Sequence, residues 1–126
     1  MRASRPPNVL LTRIENRSGG GVPDVHGIVD GLPFWLELKV KSSARVNVRP
    51  HQIAWHTSFF AKRGLSFFLV STPVRGSSAL IRGNYATQLA QNPLSEVQGP
   101  RFGDFGSMWE GVSVAVWSHY RDLVAD

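Results

Sequence analysis

The sequence predicts an α/β fold in which a central mixed β-sheet of about four or five strands is flanked by helices. Two apolar segments on either side of residues 30–33 (Asp-Gly-Leu-Pro) are typical of a β-hairpin. A segment that begins with Pro50 and stops before Gly64 has the signals of a helix. The continuous apolar run over residues 65–71 is typical of a buried strand. A hairpin, a helix and a buried strand in this order indicate one sheet with helical layers.

The elements follow in order along the chain. Residues 9–15 form a short helix or an extended lead-in, and residues 18–21 form a flexible turn. Strands are expected over residues 22–29 and 34–41, and residues 42–48 form a polar connection to a helix over residues 50–63. After the central strand, the sequence predicts a strand over residues 78–82, a helix over residues 84–91, an ordered surface loop over residues 92–106, and one or two elements over residues 107–124.

Length and composition limit the class of protein. A chain of 126 residues is expected to form a single domain over residues 1–126, which removes roughly two thirds of its unfolded surface from water. The sequence has no cysteine, so neither disulfides nor thiolate metal sites contribute, which suits a reducing cytoplasm. No apolar run is long enough for a signal-peptide core or a membrane span. We therefore expect a cytoplasmic protein with no membrane partner.

The charge of the chain is unevenly distributed. The net charge is +5, and the segment from Leu38 to Ser95 contains no acidic residue. Eleven of the fourteen basic residues are arginine, whose planar guanidinium group suits phosphate oxygens. This bias favours binding to a polyanion such as nucleic acid, although a generally basic protein explains the composition equally well. The basic residues of this segment are Lys39, Lys41, Arg45, Arg49, Lys62, Arg63, Arg75 and Arg82.

Alternation along the second hairpin strand places charged side chains together. Trp35, Glu37 and Lys39 point to one face because successive side chains of a strand alternate. If the hairpin loop has two residues, Asp24 lies opposite Glu37, and if it has four residues, Asp24 lies opposite Lys39. Both registers place Asp24 on the same face, and only an odd loop or a bulge separates the group.

Opposed carboxylates destabilise a sheet unless something compensates their charge, and a divalent cation does so. Taken separately, Asp24 after Pro23 is a common turn pair, and Glu37 with Lys39 is an ordinary solvated strand face. Their combination favours a metal site on the hairpin.

The spacing of these residues resembles a known nuclease motif. Pro23-Asp24 followed by Glu37-Leu38-Lys39 is similar to the motif of the PD-(D/E)XK nuclease superfamily, which has a restriction-endonuclease-like core. Pro50-His51-Gln52 at a helix start, and a glycine before the apolar strand "LSFFLV", make the chain similar to the VRR-NUC branch, which includes small phage nucleases resembling Holliday-junction resolvases. The resemblance covers about residues 13–71.

The resemblance implies a role for each site residue. Asp24, Glu37 and the backbone carbonyl of Leu38 would bind Mg²⁺ or Mn²⁺, and Lys39 would orient the attacking water or stabilise developing charge. Gln52 would reach the same site. Glu15 would supply the additional acid that this superfamily often provides from an N-terminal helix.

Basic residues near this motif are expected to contact DNA. A single histidine such as His26 is more often a surface or packing residue, and His51 and His56 on the predicted helix serve either structure or phosphate contact. The residues expected to contact DNA are Lys41, Arg45, Arg49, His51 and His26.

The sequence therefore predicts a metal-dependent endonuclease that acts on DNA, with a preference for branched or junction DNA. The alternative is a non-catalytic DNA-binding or phage accessory module with the same fold. Residues 84–126 are expected to form accessory or dimerisation elements, and the large apolar residues of this segment either form a homodimer interface or pack on the sheet of their own chain. They are Phe102, Phe105, Trp109 and Trp117. The aromatic residues expected in the core rather than in base stacking are Trp55, Phe59, Phe60, Phe67 and Phe68.

Overall fold

A six-stranded mixed sheet forms the centre of the fold. The structure is a computed structural model that describes residues 8–14 and 20–125. The strands are β1 (Val9–Arg13), β2 (Val25–Val29), β3 (Leu32–Val40), β4 (Ser66–Ser71), β5 (Ser78–Arg82) and β6 (Arg101–Phe102), and they lie in this order across the sheet. The helices are α1 (Pro50–Ala61), α2 (Ala86–Gln91) and α3 (Phe105–Ala125), with 3₁₀ turns at Gly83–Tyr85 and Leu94–Glu96. The predicted fold class, a mixed sheet flanked by helices, is confirmed, but the sheet has six strands rather than four or five because β1 and the short β6 add to its two edges.

The β2–β3 hairpin closes through a two-residue loop. Asp30 and Gly31 have φ angles of 49° and 81°, which are the positive values that a type I′ turn requires at both central positions. Val29 pairs with Leu32 across the turn, so paired residues have numbers that sum to 61. The register expected for a two-residue loop is therefore the observed one.

The segment β3–α1–β4 gives the sheet its mixed character. β3 and β4 are parallel, whereas the other described neighbours are antiparallel. Pro50 opens α1 as predicted. The residue in the left-handed conformation after the helix is Arg63, with a φ angle of 66°, and not Gly64. Gly64 is required for a different reason, because a Cβ atom there would lie 2.5 Å from the Phe59 ring.

Helices cover the two faces of the sheet and divide the core into two clusters. One cluster lies under α3 and includes Phe34, Leu36, Phe67, Leu80, Met108, Trp109, Val112 and Val116. The other lies under α1 and α2 and includes Val46, Val48, Phe68, Val70, Ile81, Ala86, Leu89 and Leu94. Odd-numbered residues of β3 face the α1 side, because Glu37 is in register with Phe68 of the second cluster.

Several elements differ from the sequence predictions. Of the two alternatives predicted for residues 9–15, the structure supports the extended one over Val9–Arg13 and not the helix, because alternate residues such as Val9 pack into the core under α3. β2 begins at Val25 rather than at residue 22, since Pro23 has no N–H for a strand ladder. The predicted loop over residues 92–106 contains β6 and a 3₁₀ turn, and the C-terminal segment is one helix.

The large apolar residues of the C-terminal segment mostly pack on their own sheet. Trp109 is buried in the core under α3, and Phe102 and Phe105 pack against that core. Trp117 is the exception, since 52% of its surface is exposed and its Nε1 donates to Asp30 Oδ2 at 2.9 Å. The structure thus supports the alternative of packing within the chain for three of the four residues. Among the described residues, no helix has the length and apolar character needed to cross a bilayer.

Candidate metal and catalytic site

Asp24 and Glu37 form the centre of the site at the end of the β2–β3 hairpin. Asp24 directly precedes β2 and therefore lies opposite Glu37 in the observed register. Its Oδ2 atom accepts the backbone N–H of Leu38 at 3.0 Å. The Asp24 side chain thus accepts the N–H that a backbone carbonyl would accept if β2 continued beyond Val25. The side chain of Asp24 is therefore fixed beside Glu37.

Glu37 is an almost completely buried carboxyl group, with 4% of its surface exposed. Burial, a hydrogen bond with Asp24 and the charge of Asp24 raise its pKa to about 8, against a smaller opposing effect of Lys39. Its Oε1 atom has no hydrogen-bond partner among the described residues. A buried oxygen without a partner is costly, and a cation placed at this pair would satisfy it.

Gln52 connects Lys39 to the start of α1. Its Oε1 atom accepts from Lys39 Nζ at 2.9 Å and from the backbone N–H of Arg49 at 3.0 Å. Burial is the main cause that lowers the pKa of Lys39, and the charges of Glu37 and Asp24 oppose this effect. The ammonium group is therefore held between the carboxyl pair and the helix start.

Gly21 fixes the loop before Asp24 against α1. A Cβ atom at this position would lie 2.2 Å from the backbone oxygen of His51, and Gly21 has a φ angle of 80° that favours glycine. From the sequence, residues 18–21 are expected to form a flexible turn. At Gly21, the glycine instead allows a close contact that positions Asp24 relative to Gln52.

The backbone carbonyl of Leu38 faces the same site. In a parallel pair, a residue directs its N–H and its C=O to the same neighbouring strand. Trp35 and Lys41 donate their N–H groups toward β4, whereas the N–H of Leu38 donates to Asp24 on the other side. The carbonyl of Leu38 is therefore directed to the β2 side, beside the two carboxyl groups.

The oxygen atoms of Asp24, Glu37 and the Leu38 carbonyl suit a hard divalent cation as ligands. Two carboxylates and a backbone carbonyl are oxygen ligands of the kind that Mg²⁺ and Mn²⁺ bind, with water at the remaining positions. Within residues 8–14 and 20–125, no three His, Cys, Asp or Glu side chains lie close enough to form a larger cluster. The third predicted acid, Glu15, lies outside the described residues. Ile14, the residue before it in the sequence, is described and donates its backbone N–H to the backbone oxygen of Asp24 at 2.7 Å.

The structure brings together most of the residues that the sequence predicts for the site. Asp24, Glu37, Lys39 and Gln52 converge, and the Leu38 backbone lies beside them. Among the basic residues predicted to contact DNA, Arg49 and His51 lie exposed at the start of α1, Lys41 follows β3, and Arg45 is exposed in the connection between them. All four lie on the chain between the end of β3 and the first turn of α1.

His26 and Trp35 lie on the same face as the carboxyl pair. The two are partners in the β2–β3 register, and their rings meet edge to face at a centroid distance of 4.8 Å. The alternation that places Glu37 and Lys39 on this face also places Trp35 there, but the sequence alone assigns it no role. His26 is half-buried and contacts the Trp35 ring. It is two residues after Asp24 and therefore lies next to it on the same face of the sheet.

His56 is a buried structural residue, and its predicted alternative role in phosphate contact is wrong. Its surface is fully buried, and its Nδ1 lies 2.7 Å from Ser66 Oγ. Burial, and to a smaller extent the charge of Lys39, lower its pKa to about 4. His56 is therefore neutral at physiological pH and unavailable to DNA, whereas His51 on the same helix is exposed.

The fold is similar to that of a solved structure from an archaeon. The structure is that of Hjc from Archaeoglobus fulgidus, described as a Holliday junction resolvase from an archaeal hyperthermophile. The two chains are 10% identical, their TM-score is 0.53, and the match covers 86% of this chain and 87% of Hjc. No protein-family model matches this sequence, and no curated protein is significantly similar to it. At this identity, the likeness establishes a common fold.

Proposed function

We propose that this protein is a metal-dependent endonuclease that hydrolyses phosphodiester bonds in DNA. The observation that carries the proposal is the convergence of Asp24, Glu37, Lys39 and Gln52 at one end of the hairpin. These are the residues that the PD-(D/E)XK resemblance assigns to the site. The fold shared with a Holliday junction resolvase supports the same interpretation.

Asp24, Glu37 and the carbonyl of Leu38 would hold the cation, which is Mg²⁺ or Mn²⁺. When bound, such a cation neutralises charge on the scissile phosphate and activates a water molecule for attack. The residues themselves supply the geometry. The hydrogen bond from the Leu38 N–H fixes Asp24, and the burial of Glu37 keeps competing water away from its unpaired oxygen.

Lys39 would act on the reacting groups directly. Its Nζ atom is held by Gln52, so the ammonium group does not fold onto the carboxyl pair and remains available beside the phosphate. From there it would orient the attacking water or stabilise negative charge that develops on the phosphate oxygens. Gln52 would act through Lys39 as a positioning residue.

The basic residues between β3 and α1 would bind the DNA backbone next to the site. Arg45, Arg49 and His51 are exposed, and Lys41 is half-buried beyond the end of β3. No carboxylate occurs in the sequence from residue 38 to residue 95. Such a surface attracts phosphates without reading base sequence. His26 and Glu15 remain predicted members of the site, as a DNA contact and a third acid respectively.

We further propose that the substrate is branched DNA and that the protein acts as a homodimer. Resolution of a junction requires two nicks, and a two-fold dimer would present two identical sites to a substrate of nearly the same symmetry. In the segment predicted to form an interface, Trp117 is the large aromatic residue that remains exposed. Light scattering tests the assembly directly. A monomer at micromolar concentration that cuts linear duplex as readily as junctions would contradict this part of the proposal.

A cleavage panel tests the proposed function. Duplex, nicked, flapped, single-stranded and four-way DNA are incubated with the protein and Mg²⁺ or Mn²⁺, with EDTA as the control. The proposal predicts cation-dependent cleavage, fastest on a branched substrate. A non-catalytic DNA-binding module would instead shift the mobility of these substrates and leave them uncut with either cation, which would refute the proposed activity.

A further inference from the structure

A row of half-buried aromatic rings begins next to the candidate site. His26 contacts Trp35 at a centroid distance of 4.8 Å, Trp35 meets Trp55 of α1 at 5.9 Å, and Trp55 stacks on Phe59 at 4.7 Å. These four residues are called the aromatic row. The rings are in mutual contact, so the row is a continuous surface built from β2, β3 and α1.

The aromatic row differs from the core in its exposure. Phe67 and Phe68 are completely buried, whereas each member of the row is partly exposed. On the same face of the sheet, the neighbouring β1 residue Leu10 is 60% exposed, and Thr12, the register partner of His26, is also exposed. Among the described residues, no helix therefore covers this side of β1. The sequence expectation that Trp55 and Phe59 serve the core is only partly met.

The aromatic row is continuous with the carboxyl pair. His26 is two residues from Asp24, and Trp35 is two residues from Glu37, on the same face of their strands. Two residues of a strand span about 6.6 Å. A nucleotide whose phosphate lay between Asp24 and Lys39 would therefore bring its own or the adjacent base within reach of Trp35.

We propose that the aromatic row binds an unpaired base of the DNA strand whose phosphate lies at the site. This inference rests on the proposed function and narrows its substrate class to DNA with an unstacked nucleotide next to the scissile bond. Aromatic side chains stack on any base, because every base has a π-face, and such platforms lie beside positive backbone tracks. Here the row lies on one side of the carboxyl pair, and the exposed Arg49 and His51 lie beyond Lys39 on the other.

The arrangement along β3 favours a nucleic acid over a protein partner as the occupant. The residues of one strand face run from Trp35 through Glu37 and Lys39 to Lys41, in the order aromatic ring, carboxyl, amine, amine. A nucleotide has matching parts in the same order, with a base at one end and phosphates along the rest. An apolar protein partner would gain nothing from the charged half of this surface.

The inference is tested by pairing protein variants with abasic DNA. All measurements use Asp24→Asn protein, which is expected to bind without cutting, and single-stranded oligonucleotides. Each oligonucleotide carries either normal bases or one abasic site, whose position is varied along the strand. Trp35→Leu and Trp55→Leu should each weaken binding of the normal strand by about tenfold, within the range for base stacking on an aromatic residue. When the abasic site is at the position whose base would contact the row, the same variants should bind as tightly as the protein that carries only Asp24→Asn.

Two further variants separate stacking from structural effects. Trp35→Phe retains an aromatic face and should keep most of the discrimination between normal and abasic strands. Val74→Ala shortens an exposed apolar side chain on the connection between β4 and β5, outside the row and outside the segment proposed for the dimer, and should leave both affinities unchanged. Light scattering of each variant checks that the oligomeric state is constant, and circular dichroism checks the fold.

The outcomes distinguish this inference from the proposed function. If the tryptophan variants lose affinity equally for normal and abasic strands, or lose none for either, base binding by the aromatic row is overturned even if the protein cuts DNA. A loss confined to normal strands would support it. If that loss is found but the unsubstituted protein cuts no DNA with Mg²⁺ or Mn²⁺, the base site stands and the nuclease proposal fails.

Discussion

The side-chain oxygen of Gln52 accepts a hydrogen bond from Lys39 Nζ at 2.9 Å while it also accepts the backbone N–H of Arg49. One amide thereby joins the end of β3 to the first turn of α1. Because α1 leads directly into the parallel strand β4, the position of the lysine depends on the crossover as a whole and not only on its own strand.

Replacing either of the two carboxyl groups proposed as ligands should abolish most cleavage. Asp24→Asn and Glu37→Gln keep the shape of each side chain but cannot bind a cation as a carboxylate does, so cleavage with Mg²⁺ should fall by about a hundredfold or more. Affinity for DNA, measured by fluorescence anisotropy, should survive in both variants. Asp24→Asn should bind DNA at least as tightly as the wild type, because a negative group near the phosphate is gone. Cleavage by either variant at a rate near that of the wild type would show that the site is assigned wrongly.

Lys39 and the exposed arginines should have separable effects. Lys39→Ala should reduce turnover with little change in the salt dependence of affinity, since its Nζ is directed to Gln52 and the carboxyl pair. Arg45→Ala or Arg49→Ala should weaken binding and flatten the slope of log affinity against log salt by about one unit for each phosphate that the variant no longer neutralises. If Lys39→Ala cleaves DNA at the wild-type rate but binds DNA more weakly, Lys39 is a DNA-binding residue and not a catalytic one.

Gly21→Ala should damage the site, whereas Gly20→Ala should not. A methyl group at Gly21 would collide with the His51 oxygen, and Gly21 has a positive φ angle. At Gly20, a methyl group would meet no atom of the described residues within 4 Å, chain neighbours aside, so this neighbouring position is a matched control. We expect Gly21→Ala to lose about 1–3 kcal/mol of stability and most cleavage, because Asp24 is displaced. Chemical denaturation and a cleavage assay measure both effects, and equal behaviour of the two variants would contradict this account.

The buried carboxyl of Glu37 should make the cation-free protein less stable as the pH rises. The pKa is about 8 in the folded protein, against an ordinary value of 4.5. Folding favours the protonated form, so this contribution to stability is complete below pH 4.5 and is lost as the pH rises through 8. In EDTA, the Tm of the wild type relative to Glu37→Gln should therefore fall between about pH 5 and pH 8. A difference that is constant or increases over that range would exclude the buried acid as its source.

The centre of the fold and most of the site could be predicted from the sequence because both depend on short-range rules. Strand alternation places Glu37 and Lys39 on one face whatever the rest of the chain does. Pro50 marks the start of α1, which brings Gln52 to the same end of the sheet. The alternation alone leaves the hairpin register open between two loop lengths, although Asp30-Gly31 is a dipeptide typical of the two-residue type I′ turn that forms.

Other features depend on contacts between distant segments and have weak local signals. β6 has two residues and pairs only because the chain returns to the edge of β5. Gly106 and Gly111 weigh against a single long C-terminal helix, yet Gly111 is accommodated because it packs against the Phe102 ring. The partial exposure of Trp55 follows from the position of α1 over β3 and β4, which no sequence period reveals.

If the carboxyl pair of Asp24 and Glu37 holds a cation as proposed, binding of the cation would be coupled to the loss of a proton. With a pKa of about 8, Glu37 carries a proton in most molecules at neutral pH, and it would have to lose that proton to hold a cation as a carboxylate. Loading would then release up to one proton, and below pH 8 the apparent affinity for the cation would increase with pH, by as much as about tenfold per unit. In calorimetry, the heat of loading would vary with the ionisation enthalpy of the buffer. A single buried acid would thus couple cutting to the acidity of the surrounding solution.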